Sequence, residues 1–243
     1  MSMKYAIVTG STKGIGKAIS EKLLNNDCFL FLNYAHDDIS AANVQHEFEE
    51  KYPGRFLIIK ADLSTHEGLE DYIGKVKAKT KSLNYVILNV GATNRGTIEE
   101  VTWESWNNAI STNITIPFFM IKECKPLMQT QGSILFVSSF LGFIPHATST
   151  AYGTSKAALS FMAKCLVKEF VDLQITVNAI APGFVDTDWH VNKPETIKRN
   201  IENKIALGRF AHPNEIAELS YHMLTNRYIN GAIYNIDGGY DYK

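Results

Sequence analysis

Tyr152 and Lys156 stand four positions apart in Tyr152-Gly153-Thr154-Ser155-Lys156, and on a helix that interval puts a phenol and an ammonium on one face. A free tyrosine titrates at about 10, too high for ready proton exchange near neutrality, and a neighbouring cation favours the phenolate and brings it toward working pH. The pair therefore reads as a general acid–base with its tuner. The interval alone is common, and most occurrences are an interfacial ring beside a solvated lysine, so the surroundings decide. Upstream, the run Ser133–Ser138 is followed by Ser139. In a parallel α/β sheet ligands lie at the carboxyl ends of the strands, where a serine hydroxyl can hold a carbonyl oxygen.

A second feature supplies the partner for such chemistry. The first apolar run, Tyr5–Thr9, opens into Gly10-Ser11-Thr12-Lys13-Gly14-Ile15-Gly16 and then an amphipathic stretch carrying Ile19, Leu23 and Leu24. Gly10 can take a backbone conformation closed to other residues, Gly14 lets the backbone approach a pyrophosphate, and Gly16 lets helix and strand pack closely. The helix N-terminus offers N–H groups to the phosphates. Three glycines serve many tight turns; their place at the first strand-to-helix junction points to dinucleotide binding. The second strand ends Leu32-Asn33-Tyr34-Ala35, without the Asp or Glu that reads the adenosine ribose of NAD. Lys13 is placed to meet a 2′-phosphate, so the pattern favours NADP(H) over NAD(H), with a solvated turn lysine as the alternative.

Bulk properties exclude other classes. The chain has 243 residues, 45% hydrophobic and 20% charged, with a formal net charge of −1. It lacks the basic surplus that counterion release on nucleic acid requires, and no apolar run has the length of a membrane span. Tyr5–Val8 is too short for a signal-peptide core, so the expected compartment is the cytoplasm. Cys28, Cys124 and Cys165 are widely spaced and read as small buried side chains rather than a disulfide framework or zinc site. The seven histidines form no ligand spacing, and no metal is expected.

The elements that must position these residues alternate. Strands are expected at Tyr5–Thr9, Cys28–Tyr34, Phe56–Ala61, Tyr85–Val90, Ser133–Ser138, Ile175–Ala181 and Ala232–Ile236. Helices are expected at Ile15–Leu24, Ser40–Lys51, Leu69–Lys79, Trp103–Met128, Ala151–Val171 and Asn214–Leu224. This rhythm predicts an α/β, Rossmann-type doubly wound fold: a seven-stranded, mostly parallel sheet flanked by helices on both faces, in a single domain over residues 1–243. Apolar residues wrap most of Ala151–Val171, which predicts either a helix between the sheet and a second subunit or one deep inside the monomer. The least regular stretch is Gly183–Gly208, where Trp189, His190 and the charged run Lys193–Lys204 could form a lid or a solvated helix.

Over essentially its whole length the sequence resembles the short-chain dehydrogenases/reductases of the single-domain type. The resemblance rests on the glycine turn, Tyr152 and Lys156, Thr112-Asn113-Ile114, Pro182-Gly183 and Asp237-Gly238-Gly239. It implies a catalytic tetrad of Asn113, Ser139, Tyr152 and Lys156. Ser139 is taken rather than Ser138 because it lies thirteen positions before the tyrosine. Tyr152 would donate the proton, Ser139 anchor the carbonyl, and Asn113 hold a water that relays protons through Lys156. The same resemblance implies cofactor contacts from Gly10, Ser11, Thr12, Lys13, Gly14, Ile15 and Gly16, from Asn33 and Tyr34, from Asp62 and Leu63, from Asn89 and Gly91, from Tyr152 and Lys156, and from Pro182, Gly183, Val185 and Thr187. Asp62 could equally be an acid at a helix start. The family's Asn-Asn-Ala-Gly reads Leu88-Asn89-Val90-Gly91 here, an alteration behind the adenine ribose.

Leu207-Gly208-Arg209-Phe210 and the helix start around Pro213 are most similar to the β-ketoacyl-acyl carrier protein reductases of fatty acid biosynthesis. That implies NADPH reduction of a 3-oxoacyl thioester, free or on acyl carrier protein, by a homotetramer. An acidic carrier calls for basic residues beside the entrance, before strands five and six. Met128-Gln129-Thr130-Gln131 and Asp172-Leu173-Gln174 have none there, while Lys122, Lys125 and Arg95 are nearby candidates. A reductase of free carbonyls, sugars, polyols or steroids stays open, as does a non-catalytic dinucleotide sensor, against which the complete tetrad argues.

Overall fold

The computed structural model describes residues 3–93, 95–191, 193–240 and 242. Strands β1 (Lys4–Val8), β2 (Cys28–Tyr34), β3 (Phe56–Lys60), β4 (Leu83–Leu88), β5 (Met128–Val137), β6 (Thr176–Pro182) and β7 (Ile233–Ile236) form one sheet in the order β3-β2-β1-β4-β5-β6-β7. Every neighbouring pair is parallel, so the expected seven strands are present and the sheet is parallel throughout rather than mostly. Strand order reverses between β1 and β4, and at such a switch point a crevice opens beyond the carboxyl ends.

Among the described residues eight α-helices flank it: α1 (Gly14–Leu24), α2 (Asp38–Lys51), α3 (His66–Lys79), α4 (Trp103–Ile110), α5 (Ile116–Cys124), α6 (Thr150–Val167), α7 (Glu195–Glu202) and α8 (Pro213–Thr225). One core joins the sheet to α1, α2 and α8 through Ile19, Leu23, Val44, Phe48, Ile216 and Met223. The other joins the opposite face to α3, α5 and α6 through Leu69, Tyr72, Met120, Ile121, Leu159 and Ala163. With both faces covered, no side of a central strand meets water, which is why β6 is buried along its whole length and β1 from Ala6 on, without alternation. Helix starts follow local chemistry. Asp37 accepts from the Ser40 N–H at 2.8 Å, Thr65 from the Gly68 N–H at 3.0 Å, and Thr102 with Ser105 forms a capping box.

Two expectations change, for the Trp103–Met128 helix and for Cys165, and two pairs of alternatives narrow. The single helix Trp103–Met128 is α4, a π-helical turn over Ser111–Thr115, α5 and a 3-10 turn, and Met128 already belongs to β5. Pro117 cannot donate an N–H to the preceding turn, and Pro126 ends the helix. Helix α6 is not buried all round: Ala151, Leu159 and Ala163 face the core, while Phe161 is 67% exposed, so a place deep in the monomer is excluded. Cys28 and Cys124 are buried as expected, but Cys165, on that outer face, is exposed. Within Gly183–Gly208 the charged run is the helix α7, none of whose residues is buried. Among the described residues no helix is long and apolar enough to cross a membrane.

Candidate active site

A cavity of about 840 Å3 opens at the carboxyl ends of the strands. At one end lies the glycine turn. Gly10 has φ +60° and Gly14 φ +48°, conformations that favour glycine. At Gly16 the constraint is space: a Cβ there would lie 2.1 Å from the Gly10 carbonyl oxygen and 2.7 Å from Asn89 Nδ2. Asn89 ties β4 to the turn, donating from Nδ2 to the carbonyls of Thr9 and Gly10 at 3.1 and 3.0 Å. No side chain caps α1, so its first N–H groups remain available to a phosphate, and the turn fits a dinucleotide. Ser11 and Gly16 do not line the cavity. Ser11 is 0% exposed and exchanges hydrogen bonds with the Asn33 backbone, so both residues build the turn rather than face a ligand.

Beyond the turn the cavity is lined by Asn33, Tyr34, His36, Asp37, Asp62 and Leu63. Asn33 is largely a strut, accepting from the Gly10 N–H at 3.3 Å and donating to the Ala61 carbonyl at 2.9 Å. The acid absent from the end of β2 stands three residues beyond Tyr34, at Asp37. Asp37 caps α2 and pairs with Lys13. That ion pair and the Ser40 N–H hold its carboxyl down at about 2. Lys13 is therefore neither merely solvated nor unpaired. Asp62 accepts from the Ser64 N–H at 2.9 Å; burial pushes its carboxyl up, but the Ser64 bonds and His36 outweigh this and hold it below the ordinary range. Thr65, not Asp62, caps the helix.

At the other end are Ser139, Tyr152 and Lys156. Ser139 follows β5 and accepts from the Leu141 N–H at 3.2 Å. Ser138 also lines the cavity, but its hydroxyl is engaged, donating to the Lys156 carbonyl at 2.9 Å and meeting Ser160 Oγ at 2.7 Å, which makes it a strand-end hydroxyl. Lys156 is 3% exposed and its Nζ donates to the Val137 carbonyl at 2.8 Å. Its ammonium lies 5.7 Å from the Tyr152 ring centroid. The expectation that Lys156 lowers the phenol is overturned here: burial raises the Tyr152 pKa, and the groups that oppose it are the Ser139 hydroxyl and the Arg95 charge. Lys156 itself is lowered by burial to about 8, so its charge is weakly held.

This carries a stability signature. Between about 8 and the ordinary 10.5 the unfolded chain binds a proton that the folded site refuses. Stability therefore rises with pH through that window, and the full cost, on the order of 3 kcal/mol, stands below it. Relative to Lys156→Met, wild type should gain unfolding free energy between about pH 8 and pH 10 in denaturant titrations. Parallel pH dependences would contradict a buried, pKa-lowered ammonium.

Asn113 does not line the cavity. It is 0% exposed, in the π-helical turn, and its amide is saturated: Oδ1 accepts from the Ala92 N–H, and Nδ2 donates to the Ala92 carbonyl and Ser155 Oγ, each at 2.8 Å. The side chain thus fixes the loop after β4 to the helix turn between Tyr152 and Lys156. Its own carbonyl lacks an α-helical donor, because Pro117 is four residues on. Gly91 completes the packing: a Cβ there would lie 3.2 Å from Lys156 Nζ and 3.3 Å from Asn113 Oδ1.

Pro182, Gly183, Val185 and Thr187 line the cavity, and Thr187 packs over Gly14. A Cβ on Gly183 would lie 2.7 Å from Asp237 Cα, so the Pro182-Gly183 and Asp237-Gly238-Gly239 motifs are two sides of one contact. Sequence reasoning did not single out the aromatic wall of Phe140, Phe184, His190, Phe210 and Tyr240, whose ring centroids lie 5.0–5.6 Å apart. Only their juxtaposition in space reveals it. Among the described residues no three His, Cys, Asp or Glu side chains gather as for a metal ion. Met128–Gln131 forms the start of β5 and Asp172–Gln174 precedes β6, so both stretches lie at the end of the sheet opposite the cavity. Arg227 joins them by donating to the Gly132 and Gln174 carbonyls. Their lack of lysine or arginine therefore says nothing about this chain's own entrance. Of Lys122, Lys125 and Arg95, only Arg95 lines the cavity.

The family model described as Enoyl-(Acyl carrier protein) reductase matches residues 10–241. The 3-oxoacyl-[acyl-carrier-protein] reductase FabG of Aquifex aeolicus is 29% identical over 240 residues, spanning 97% of this chain and 96% of its own. Glucose 1-dehydrogenase 2 of Bacillus subtilis is 32% identical over 243 residues, spanning 97% and 94%. The solved structure of the angucycline C-6 ketoreductase LanV with bound NADP has a TM-score of 0.92 at 29% identity, covering 99% of this chain and 96% of that one. The likeness runs through the dinucleotide turn and the Tyr152–Lys156 helix alike, and the chain belongs to the short-chain dehydrogenase/reductase family of nicotinamide-dinucleotide-dependent oxidoreductases.

Proposed function

We propose that this protein reduces a ketone to a secondary alcohol with NADPH, the substrate being a 3-oxoacyl thioester. The observation that carries the reading is the convergence of Ser139, Tyr152 and Lys156 on one cavity wall beside the glycine turn. When bound, the nicotinamide ring supplies a hydride to the carbonyl carbon. Ser139 Oγ holds the carbonyl oxygen, and Tyr152, protonated across the neutral range because burial raises its pKa, delivers the proton that makes the alcohol. Lys156 then returns a proton toward Tyr152, drawing on water held at the Asn113 carbonyl. Gly10, Thr12, Gly14 and Ile15, which line the cavity at the glycine turn, would hold the phosphates, and Pro182, Gly183, Val185 and Thr187 would hold the nicotinamide end.

NADPH over NADH is supported by Lys13, which offsets Asp37 at the adenosine end, and by the NADP bound to LanV. The thioester is supported by the similarity to FabG; similarity to glucose 1-dehydrogenase 2 favours a sugar or another free carbonyl as the second reading. Phe118, Phe119, Phe161 and Val171, exposed on and beside α5 and α6, support burial of these helices between subunits of a homotetramer. A panel of 3-oxoacyl thioesters, on carrier protein and on small carriers, set against simple ketones, polyols and glucose, tests the assignment by loss of NADPH absorbance. Thioesters turned over best, and faster with NADPH than NADH, is the expected result. A sugar or polyol as best substrate, or a clear preference for NADH, would reject it.

A further inference from the structure

The catalytic end of the cavity carries charge that proton transfer does not use. Arg95, in the loop after β4, lines the same cavity as Tyr152, Trp189 and His190. Its charge reaches Tyr152, His190 and Lys193, lowering each of them. His190 is pushed to about 4, by burial first and then by Lys193 and Arg95, with Lys198 adding to them and Asp186 alone opposing. The imidazole is neutral near pH 7, and its Nδ1 is buried with no hydrogen-bond partner.

Lys13, Lys17, Lys22, Lys51, Lys60, Lys75, Lys77, Lys125 and Arg209 each sit against a carboxylate, while, among the described residues, the unpaired Lys79, Lys81, Lys122, Lys164, Lys168, Lys204 and Arg227 lie away from the cavity. Among the described residues Arg95, Lys193 and Lys198 take part in no ion pair. Of the acids lining the cavity, Asp37 and Asp62 are at the adenosine end, and no ion pair joins Asp188 to Arg95. An unmatched guanidinium in an aromatic-lined cavity is suited to a planar carboxylate, which it can hold through two parallel hydrogen bonds.

We propose that the ketone reduced here carries a carboxylate a few bonds from its reducible carbonyl, that Arg95 holds that carboxylate, and that Lys193 strengthens the field. The inference rests on the ketoreductase reading and narrows its substrate class. The anion belongs to the acyl portion because Arg95 acts on the Tyr152 phenol itself, whereas the phosphate of a carrier's pantetheine arm would stand the length of that arm from the carbonyl.

The test compares two N-acetylcysteamine thioesters of 3-oxoadipate, one with its terminal carboxylate free and one with it as the methyl ester. Wild type should favour the free acid in kcat/KM. Arg95→Ala should lower the acid-to-ester ratio by about 10- to 100-fold, the range of a hydrogen bond to a charged group. Arg95→Lys should recover part of the ratio, and rising salt should lower it in wild type. A wild-type preference for the ester, or an acid-to-ester ratio unchanged in Arg95→Ala, overturns the inference and leaves the reductase reading standing. Turnover of neither thioester, with NADPH binding intact by fluorescence, would remove the 3-oxoacyl reading and this inference with it.

Discussion

Tyr152→Phe should retain NADPH binding and lose turnover by about 10²- to 10⁴-fold, the contribution of a positioned general acid. The substitution removes one oxygen and keeps the ring that packs 5.7 Å from the Lys156 ammonium, so the helix and the Val137–Lys156 hydrogen bond should persist. Because burial raises the Tyr152 pKa, the group arrives protonated, as ketone reduction needs, and the reverse oxidation needs the phenolate. Reduction by wild type should therefore hold up from neutral into mildly alkaline solution, while oxidation of the alcohol accelerates as pH rises. Single-turnover measurements with cofactor and ketone separate this from a binding defect. Comparable turnover in variant and wild type would remove Tyr152 from the chemistry.

Gly16→Ala should abolish dinucleotide binding and destabilise the fold. The added carbon would lie 2.1 Å from the Gly10 carbonyl oxygen, and backbone, unlike the far end of a flexible side chain, cannot swing aside. Helix α1 must move away from β1, which breaks the Asn89 bonds to the Thr9 and Gly10 carbonyls and moves the N–H groups at the helix start. An overpacked site of this kind costs about 1–3 kcal/mol, read by denaturant unfolding. The cofactor loss is expected to exceed what stability alone explains, so NADPH titration at a temperature where the variant remains folded is the decisive measurement. A folded Gly16→Ala that binds NADPH normally would show that the turn tolerates the displacement.

The sequence placed the two ends of the site because each depends on near neighbours in the chain. A glycine turn between a strand and a helix, and two residues one helical turn apart, have geometry that short-range backbone rules impose. The choice of Ser139 over Ser138 also rested on position, and the structure separates them by hydrogen bonding: both line the cavity, but the Ser138 hydroxyl is engaged with Lys156 and Ser160, while the Ser139 hydroxyl meets Tyr152. The break in the Trp103–Met128 helix was signalled by Pro117, yet its consequence, a π-helical turn that buries Asn113 against Ala92 and Ser155, depends on partners far along the chain.

Charge was the least legible property. Tyr152 was expected to be tuned downward by Lys156, but once Lys156 is buried and donating to Val137 its own charge is disfavoured, and desolvation of the phenol prevails. Asp37 lay outside the expected position for an adenosine-reading acid, and its pairing with Lys13 arises only when α2 is docked beside the glycine turn. Arg95 and His190 have no spacing relation to Tyr152 and share its cavity only because loops from separate strands meet above the sheet. By itself the sequence determined the strand–helix alternation, the glycine turn and the residues proposed to react, all governed by local conformation and apolar pattern. Tertiary structure alone decided which charges are matched, which hydroxyl is engaged with α6 and in which direction each pKa moves, because those follow from burial and from distances that no interval in the chain encodes.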